Sequence, residues 1–262
     1  MHIVVCIKQV PETADIGWDR ETGTLIREDA SGVLNRNDKN ALEAALQLKE
    51  TVEGAITAVT MGPAQAEEAL REALAMGADK AVLLYDKRFA GADTLATAYT
   101  LSLALKKLGP IDLIMCGKES SDGMTAHVGP QLAELMDLPQ LTCAVDIKVH
   151  GRRVSIDQKM ENGFRVLESS LPALITVERE INEPRIPPMD RILAAYRESE
   201  VLVWELDDLK GDEAWFGLSG SPTQTRKVYS KKIIRGQVRM IEGEPETAAG
   251  QLVRILTEKT LI

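Results

Sequence analysis

Apolar residues in this chain come in short unbroken runs, separated by longer stretches in which they recur every three or four places. Ile3 to Ile7 is a continuous apolar run, the mark of a strand buried on both faces. A polar stretch follows from Pro11 to Asn37, with turn signals at Glu21-Thr22-Gly23 and Ala30-Ser31-Gly32. Asn37 or Asp38 then reads as the cap of a helix carrying Ala41, Leu42, Ala45, Leu46 and Lys49. The alternation continues with a strand over 55–61, a helix over 64–76, a strand over 81–85 and a helix over 93–108. A strand over 111–116 and a helix over 125–136 complete it. The pattern predicts an α/β fold, an open and mostly parallel doubly wound sheet of Rossmann type.

Beyond residue 140 the pattern changes. Residues 141–149, 152–157 and 164–178 read as strands, with turns at His150-Gly151 and Glu161-Asn162-Gly163, predicting an antiparallel addition to the sheet. A short helical period covers Arg191 to Arg197, and Val201 to Trp204 is strand-like. Residues 206–250 carry no strong period and read as an extended arm. An amphipathic helix is predicted over Thr247–Leu261.

Composition narrows the function classes. Hydrophobic residues make up 44% of the chain, enough for a sizeable core, and aromatics 4%, too few for a stacking platform for single strands. The formal charge of −9 argues against nucleic-acid binding, which needs a basic face. No apolar run approaches 18 residues, so no membrane span is predicted. The N-terminus reads straight into a strand, not into a signal peptide. Three scattered cysteines (Cys6, Cys116, Cys143) and three histidines (His2, His127, His150) share no metal-ligand spacing, and free thiols fit a reducing cytoplasm.

In a doubly wound sheet, ligands bind beyond the carboxyl ends of the strands, near helix N-termini. The loops that fall there are Met61-Gly62-Pro63, Phe89 to Thr97 and Gly117 to Gly129. Their small residues let a backbone approach a ligand, and hydroxyls beside free helix N–H groups suit a diphosphate. Asp93 and Thr94 also fit a plain helix start, and both readings stay open. No Gly-x-Gly-x-x-Gly follows the first strand, no P-loop occurs, and Gly217 to Ser221 makes no nucleophile elbow. His127 could act as a base or touch a nucleotide, but no activated nucleophile accompanies it. The loops suit a cofactor, and a catalytic set is lacking.

Taken in order, several segments resemble the β subunit of an electron-transfer flavoprotein. They are Val5 to Thr13, Asn35 to Glu43, Met61 to Gln65, Ala73 to Asp79, Asp112 to Gly117, Asp122 to Pro130, Leu138-Pro139-Gln140, Leu171-Pro172-Ala173 and Ile181 to Arg185. The resemblance spans nearly the whole chain. It implies an electron carrier without substrate chemistry of its own, paired with an α subunit that holds an FAD. It further implies a Rossmann-like domain over 1–205 that grips AMP or a second FAD, and a C-terminal arm and helix over 206–262 that pack on the partner. The matching pocket positions are Cys6, Asn35, Asp38, Met61, Gly117, Asp122, Gly123, Thr125, Ala126, His127, Val128 and Gly129.

Gly91-Ala92-Asp93-Thr94-Leu95-Ala96-Thr97 and Asp122 to Pro130 are similar to the electron-bifurcating branch of the family. That likeness adds Asp93, Thr94 and Thr97 to the pocket and implies FAD, with NADH as donor in the assembled complex. Met124 and His127 depart from the branch, which usually has Asp and Gln there. The segment after Asn182-Glu183-Pro184-Arg185 implies docking to a dehydrogenase through Met189, Arg191 and Ile192. That partner would be acyl-CoA dehydrogenase-like or a 2-hydroxy-acid dehydrogenase, with ferredoxin or flavodoxin as a further acceptor. The alternatives are a non-bifurcating β subunit with structural AMP, and a nucleotide-binding regulatory module of the adenine-nucleotide hydrolase-like fold.

Overall fold

Nine strands form one sheet in a computed structural model that describes residues 1–12, 32–223 and 240–261. In chain order the elements are β1 (His2–Cys6), β2 (Gln9–Pro11), β3 (Gly32–Leu34), α1 (Arg36–Thr51), β4 (Ala55–Met61), α2 (Glu67–Met76), β5 (Lys80–Leu84), α3 (Thr94–Leu108) and β6 (Leu113–Gly117). There follow α4 (Val128–Leu135), β7 (Gln140–His150), β8 (Arg153–Met160), β9 (Gly163–Ser170), β10 (Ala173–Val177), α5 (Met189–Arg197), β11 (Val201–Trp204) and α6 (Pro245–Glu258). The sheet runs β11-β5-β4-β1-β6-β10-β7-β8-β9, with β2 and β3 as a separate antiparallel pair.

β11 through β7 are all parallel, and β8 and β9 add an antiparallel meander. The α/β, doubly wound, mostly parallel reading therefore holds. The central strands are apolar on both sides because helices cover both faces. Ile3, Val5, Ile56 and Ala58 pack beneath α1 and α2, while Val4, Val59 and Ile114 pack beneath α3 and α4. The order places β1 between β4 and β6, so successive connections leave β1 and β6 in opposite directions along the sheet. The crevice beyond Cys6 and Gly117 is the topological switch point.

Three expectations need correction. The run 164–178 is not one strand: it breaks at Leu171-Pro172, and β10 turns back to lie parallel between β6 and β7. Proline there supplies no N–H to a ladder. Residues 206–223 are not arm, for Leu206, Leu209 and Phe216 are buried in the same core as β1. Phe216 does this by its ring, 5.5 Å from Phe89 and edge-on to Tyr99 at 5.3 Å, so anchoring there rests on aromatic contacts that no periodicity reveals. Finally, Asn35, and not Asn37 or Asp38, sits at the start of α1. The chain divides into compact units Met1–Arg226 and Lys227–Ile262. In the second, α6 is an amphipathic helix with no fully buried residue. No helix among the described residues is long and apolar enough to cross a membrane.

Candidate functional site

The switch-point crevice is closed at its base by one carboxylate. Asp38 lies in the first turn of α1, but its side chain does not cap that helix. One oxygen accepts from the Lys8 N–H at 2.8 Å and the other from the Gly117 N–H at 3.0 Å, so it ties the chain just after β1 to the end of β6. Burial pushes its pKa up to about 7, against the hydrogen bonds from those amides, which favour the charged form. Gly117 is glycine for a geometric reason. A Cβ there would lie 2.5 Å from the Asp38 oxygen and 2.6 Å from the Asn37 carbonyl carbon.

Asn35 and Asn37 hold the loop that follows β6. Both side-chain amides donate to the Glu119 carbonyl at 3.0 Å, and Ser121 N–H donates to Asn35 Oδ1 at 3.2 Å. Lys8 Nζ reaches both oxygens of Asp122 at 2.8 Å, and the Asp122 side chain is only 3% exposed. Cys6, Asn35, Asp38, Gly117 and Asp122 are thus brought together. Lys8 and Asn37 belong with them, though neither was placed in the pocket from the sequence, where Asn37 reads only as a possible helix cap. Their signal is positional, since each directly adjoins a strand end or helix start that was singled out. Cys6 and Cys116 lie side by side in register, and contact with Cys6 together with burial pushes the Cys116 thiol up.

From Asp122 the loop turns outward. Gly123, Thr125 and His127 are exposed, and Met124 and Ala126 take left-handed conformations (φ 48° and 54°). His127 Nδ1 meets the Thr125 carbonyl. A carbonyl only accepts, so Nδ1 carries the hydrogen and Nε2 keeps its lone pair in the neutral ring. His127 heads α4 but gives it no side-chain cap. Pro130 has no N–H and Gln131 N–H donates to the His127 carbonyl at 3.0 Å, so the Val128 and Gly129 amides are the two at this helix start without an acceptor among the described residues, at the positive end of the helix dipole. Gly129 permits the approach of α4 to β10, where a Cβ would meet Thr176 Cγ2 at 2.6 Å. Met61 ends β4 beside β1, partly buried.

The start of α3 is built differently. Asp93 accepts from Leu95 N–H at 3.0 Å and Ala96 N–H at 3.1 Å through one oxygen, and its other oxygen takes both Thr223 N–H and Oγ1. The carboxylate caps α3 and holds residue 223, the plain helix-start role that its sequence also fits. Thr94 and Thr97 are partly buried, and among the described residues neither hydroxyl has a hydrogen-bond partner. They remain what this helix start can offer a ligand. Of the docking residues, Met189 is 70% exposed and Arg191 is exposed, but Ile192 turns inward onto the core and anchors the helix instead. Ile186, 90% exposed just ahead of α5, was not anticipated as a surface anchor.

Uncapped helix amides, a close-approach glycine and small-residue loops at a switch point are what a parallel α/β sheet offers a ligand. The residues present fit an adenine nucleotide. Comparison with known proteins carries this further. The profile of the electron transfer flavoprotein domain matches residues 22–209. The electron transfer flavoprotein subunit beta of Thermoanaerobacterium thermosaccharolyticum is 47% identical over the full length of both chains. The caffeyl-CoA reductase-Etf complex subunit CarD of Acetobacterium woodii is 43% identical, again over both full lengths. The protein FixA of Azorhizobium caulinodans is 40% identical over 97% of this chain and 92% of its own. The chain belongs to the electron transfer flavoprotein family, on the β-subunit side, and its work lies in electron transfer.

Proposed function

We propose that this chain is the β subunit of a heterodimeric electron-transfer flavoprotein, that its cradle holds a full FAD, and that the assembled complex splits electron pairs taken from NADH. The observation that carries the FAD reading is the placement of the helix starts. The open amides of α4 lie beyond β6, and the unpartnered hydroxyls of Thr94 and Thr97 follow β5, three strands away. At about 4.8 Å per strand that is roughly 14 Å across the sheet, a span suited to a dinucleotide. Loop 117–129 would wrap the adenosine end, with Val128 and Gly129 amides on phosphate and His127 Nε2 free to accept from a ribose or adenine donor. Thr94 and Thr97 would donate to the part of the ligand that continues beyond the phosphates toward the flavin.

Bound flavin supplies the redox chemistry, taking up and releasing electrons one or two at a time. The chain contributes position and field. Asp38 and Asn35 fix the loop, Lys8 balances the charge of Asp122, and Cys6 and Met61 lend backbone beneath the ligand. NADH would be met at the interface with an α subunit carrying its own FAD. A flavin-dependent dehydrogenase, acyl-CoA dehydrogenase-like or a 2-hydroxy-acid dehydrogenase, and a ferredoxin or flavodoxin would complete the route. The naming of CarD as part of a reductase-Etf complex supports partnership of this kind.

One observation favours a second reading, a non-bifurcating subunit with structural AMP. Asp93 already occupies the first amides of α3, leaving one open helix start for one phosphate. Flavin and adenine nucleotide analysis of the purified heterodimer separates the two. Two FAD per heterodimer, falling to one in Thr94→Val/Thr97→Val, is the expected result. One FAD plus one AMP in the native complex would overturn the FAD reading.

A further inference from the structure

The segment that leads into α5 is tied down more heavily than a surface connection requires. Arg185 forks onto Glu43 of α1, with Nε 2.7 Å and Nη2 2.9 Å from its two oxygens, and the Arg185 backbone N–H adds a third bond at 3.1 Å. Arg185 Nη2 also reaches Glu50 at 2.9 Å, one helical stretch further along. Three residues upstream, Asn40 and Asn182 clasp each other. Asn40 Nδ2 donates to the Asn182 carbonyl at 2.8 Å and to its Oδ1 at 3.0 Å, while Asn182 Nδ2 returns a bond to the Asn40 carbonyl at 3.0 Å. Asn40 and Glu43 are both buried. Burial pushes the Glu43 carboxyl up, but the Arg185 bonds outweigh it and hold the group below its ordinary value.

The far end of α5 is tied as well. Arg71 of α2 donates through Nη1 to the carbonyl of Ala195 in the last turn of the helix at 2.5 Å and to that of Ser199 just beyond it at 2.6 Å. Arg71 is itself steadied by Glu67 one turn back. Tyr196 adds a hydroxyl bond to Glu68 at 2.5 Å. Between these two ties Ile192 packs on the core, and Ile186, Met189 and Leu193 stand outward as an apolar ridge. A short helix that gives the core only Ala195 and Ile192 has little packing to hold it. The polar ties take that role.

We infer that Asn40, Glu43 and Arg185, with Arg71 at the other end, are positioning residues that pre-order the Ile186–Met189–Leu193 ridge for its electron-transfer partner. The inference rests on the docking reading of Met189. Its physical basis is that a ridge already fixed before the encounter loses less conformational freedom on binding. The same helix, α1, carries Asp38 and the cradle at its start, so the strap also sets the ridge relative to the site where electrons enter or leave.

The test uses the heterodimer purified with its α subunit, comparing native protein with Arg185→Ala and Glu43→Gln. Amide hydrogen exchange over 186–197 is expected to speed at least ten-fold in both variants. Exchange over β6 and α4, and flavin content, should stay at native values. Titrating a flavin-dependent acyl-CoA dehydrogenase as probe, the half-saturating concentration should rise about ten-fold with the plateau rate unchanged. Unchanged exchange over 186–197 would overturn the inference, and so would faster exchange spread across β6 and α4, which marks a general loss of stability. Selective exchange with an unmoved half-saturating concentration would uphold the strap and overturn the docking reading of Met189 instead.

Discussion

The starts of α3 and α4 each follow a parallel strand of one sheet, and both are places where such sheets bind ligands, yet they are finished in different ways. At α3 the chain answers its own amides: Asp93 takes Leu95 and Ala96 and reaches on to Thr223. At α4 the residue in the cap position, His127, turns back to the Thr125 carbonyl, and among the described residues the Val128 and Gly129 amides have no acceptor. The first arrangement stabilises the chain alone. The second leaves part of the helix-start stabilisation to whatever binds, which is how a binding site is distinguished from a well-made turn. The loop before α4 is correspondingly fixed from outside, by Asn35, Asn37, Lys8 and Asp38, and not by its own cap.

The strongest way to break this comparison is to close the crevice. Gly117→Ala would push a methyl into the Asp38 carboxylate and the Asn37 backbone. It is expected to cost about 3 kcal/mol by urea unfolding and to empty the cradle of nucleotide. Next comes the titration of Asp38. Its folded pKa of about 7 stands above the unfolded value of 3.8, so the folded chain keeps a proton that the unfolded chain releases between those values. Stability from this group is complete below the unfolded value and is lost as pH rises through 7, on the order of 2 kcal/mol between pH 5 and pH 8. Asp38→Asn should flatten that profile in urea midpoints, and an unflattened one would mean that another group carries it.

Asp93→Ala tests the other side. Loss of the α3 cap is expected to cost about 1 kcal/mol while flavin content is retained, measured by urea unfolding and cofactor analysis on one preparation. The smallest effect, and the most discriminating, is His127→Asp. An acidic side chain at the start of α4 should add about 0.5 kcal/mol to the nucleotide-free chain and weaken nucleotide binding, since carboxylate and phosphate would compete for the same amides. Tighter binding in that variant would refute an anionic ligand at α4.

Much of this was legible beforehand because the parallel half obeys local rules. Apolar runs gave β1, β4, β5 and β6, and capping logic placed Asp93 at the start of a helix. What stayed hidden depends on pairings between distant residues. Asp38 looks like a helix cap in sequence, and only the folding of β6 beside β1 hands it Gly117. Lys8 reads as the end of a strand until Asp122 arrives beside it. The stretch 206–223 has no period because isolated side chains hold it, Phe216 through rings that lie over a hundred residues earlier and Ser221 and Thr223 through bonds to Asp93. Ile192 and Ile186 cannot be sorted into inward and outward without knowing where α2 and α1 lie.

Strand β9 imposes a condition on manufacture. It ends the sheet, has only β8 as a neighbour among the described residues, and holds Phe164 and Val166 71% exposed. An open edge of that kind recruits any extended chain that meets it, another copy included. Time spent newly made and alone is then time at risk of clumping. A surplus of this polypeptide would meet other extended chains first along these eight residues of backbone.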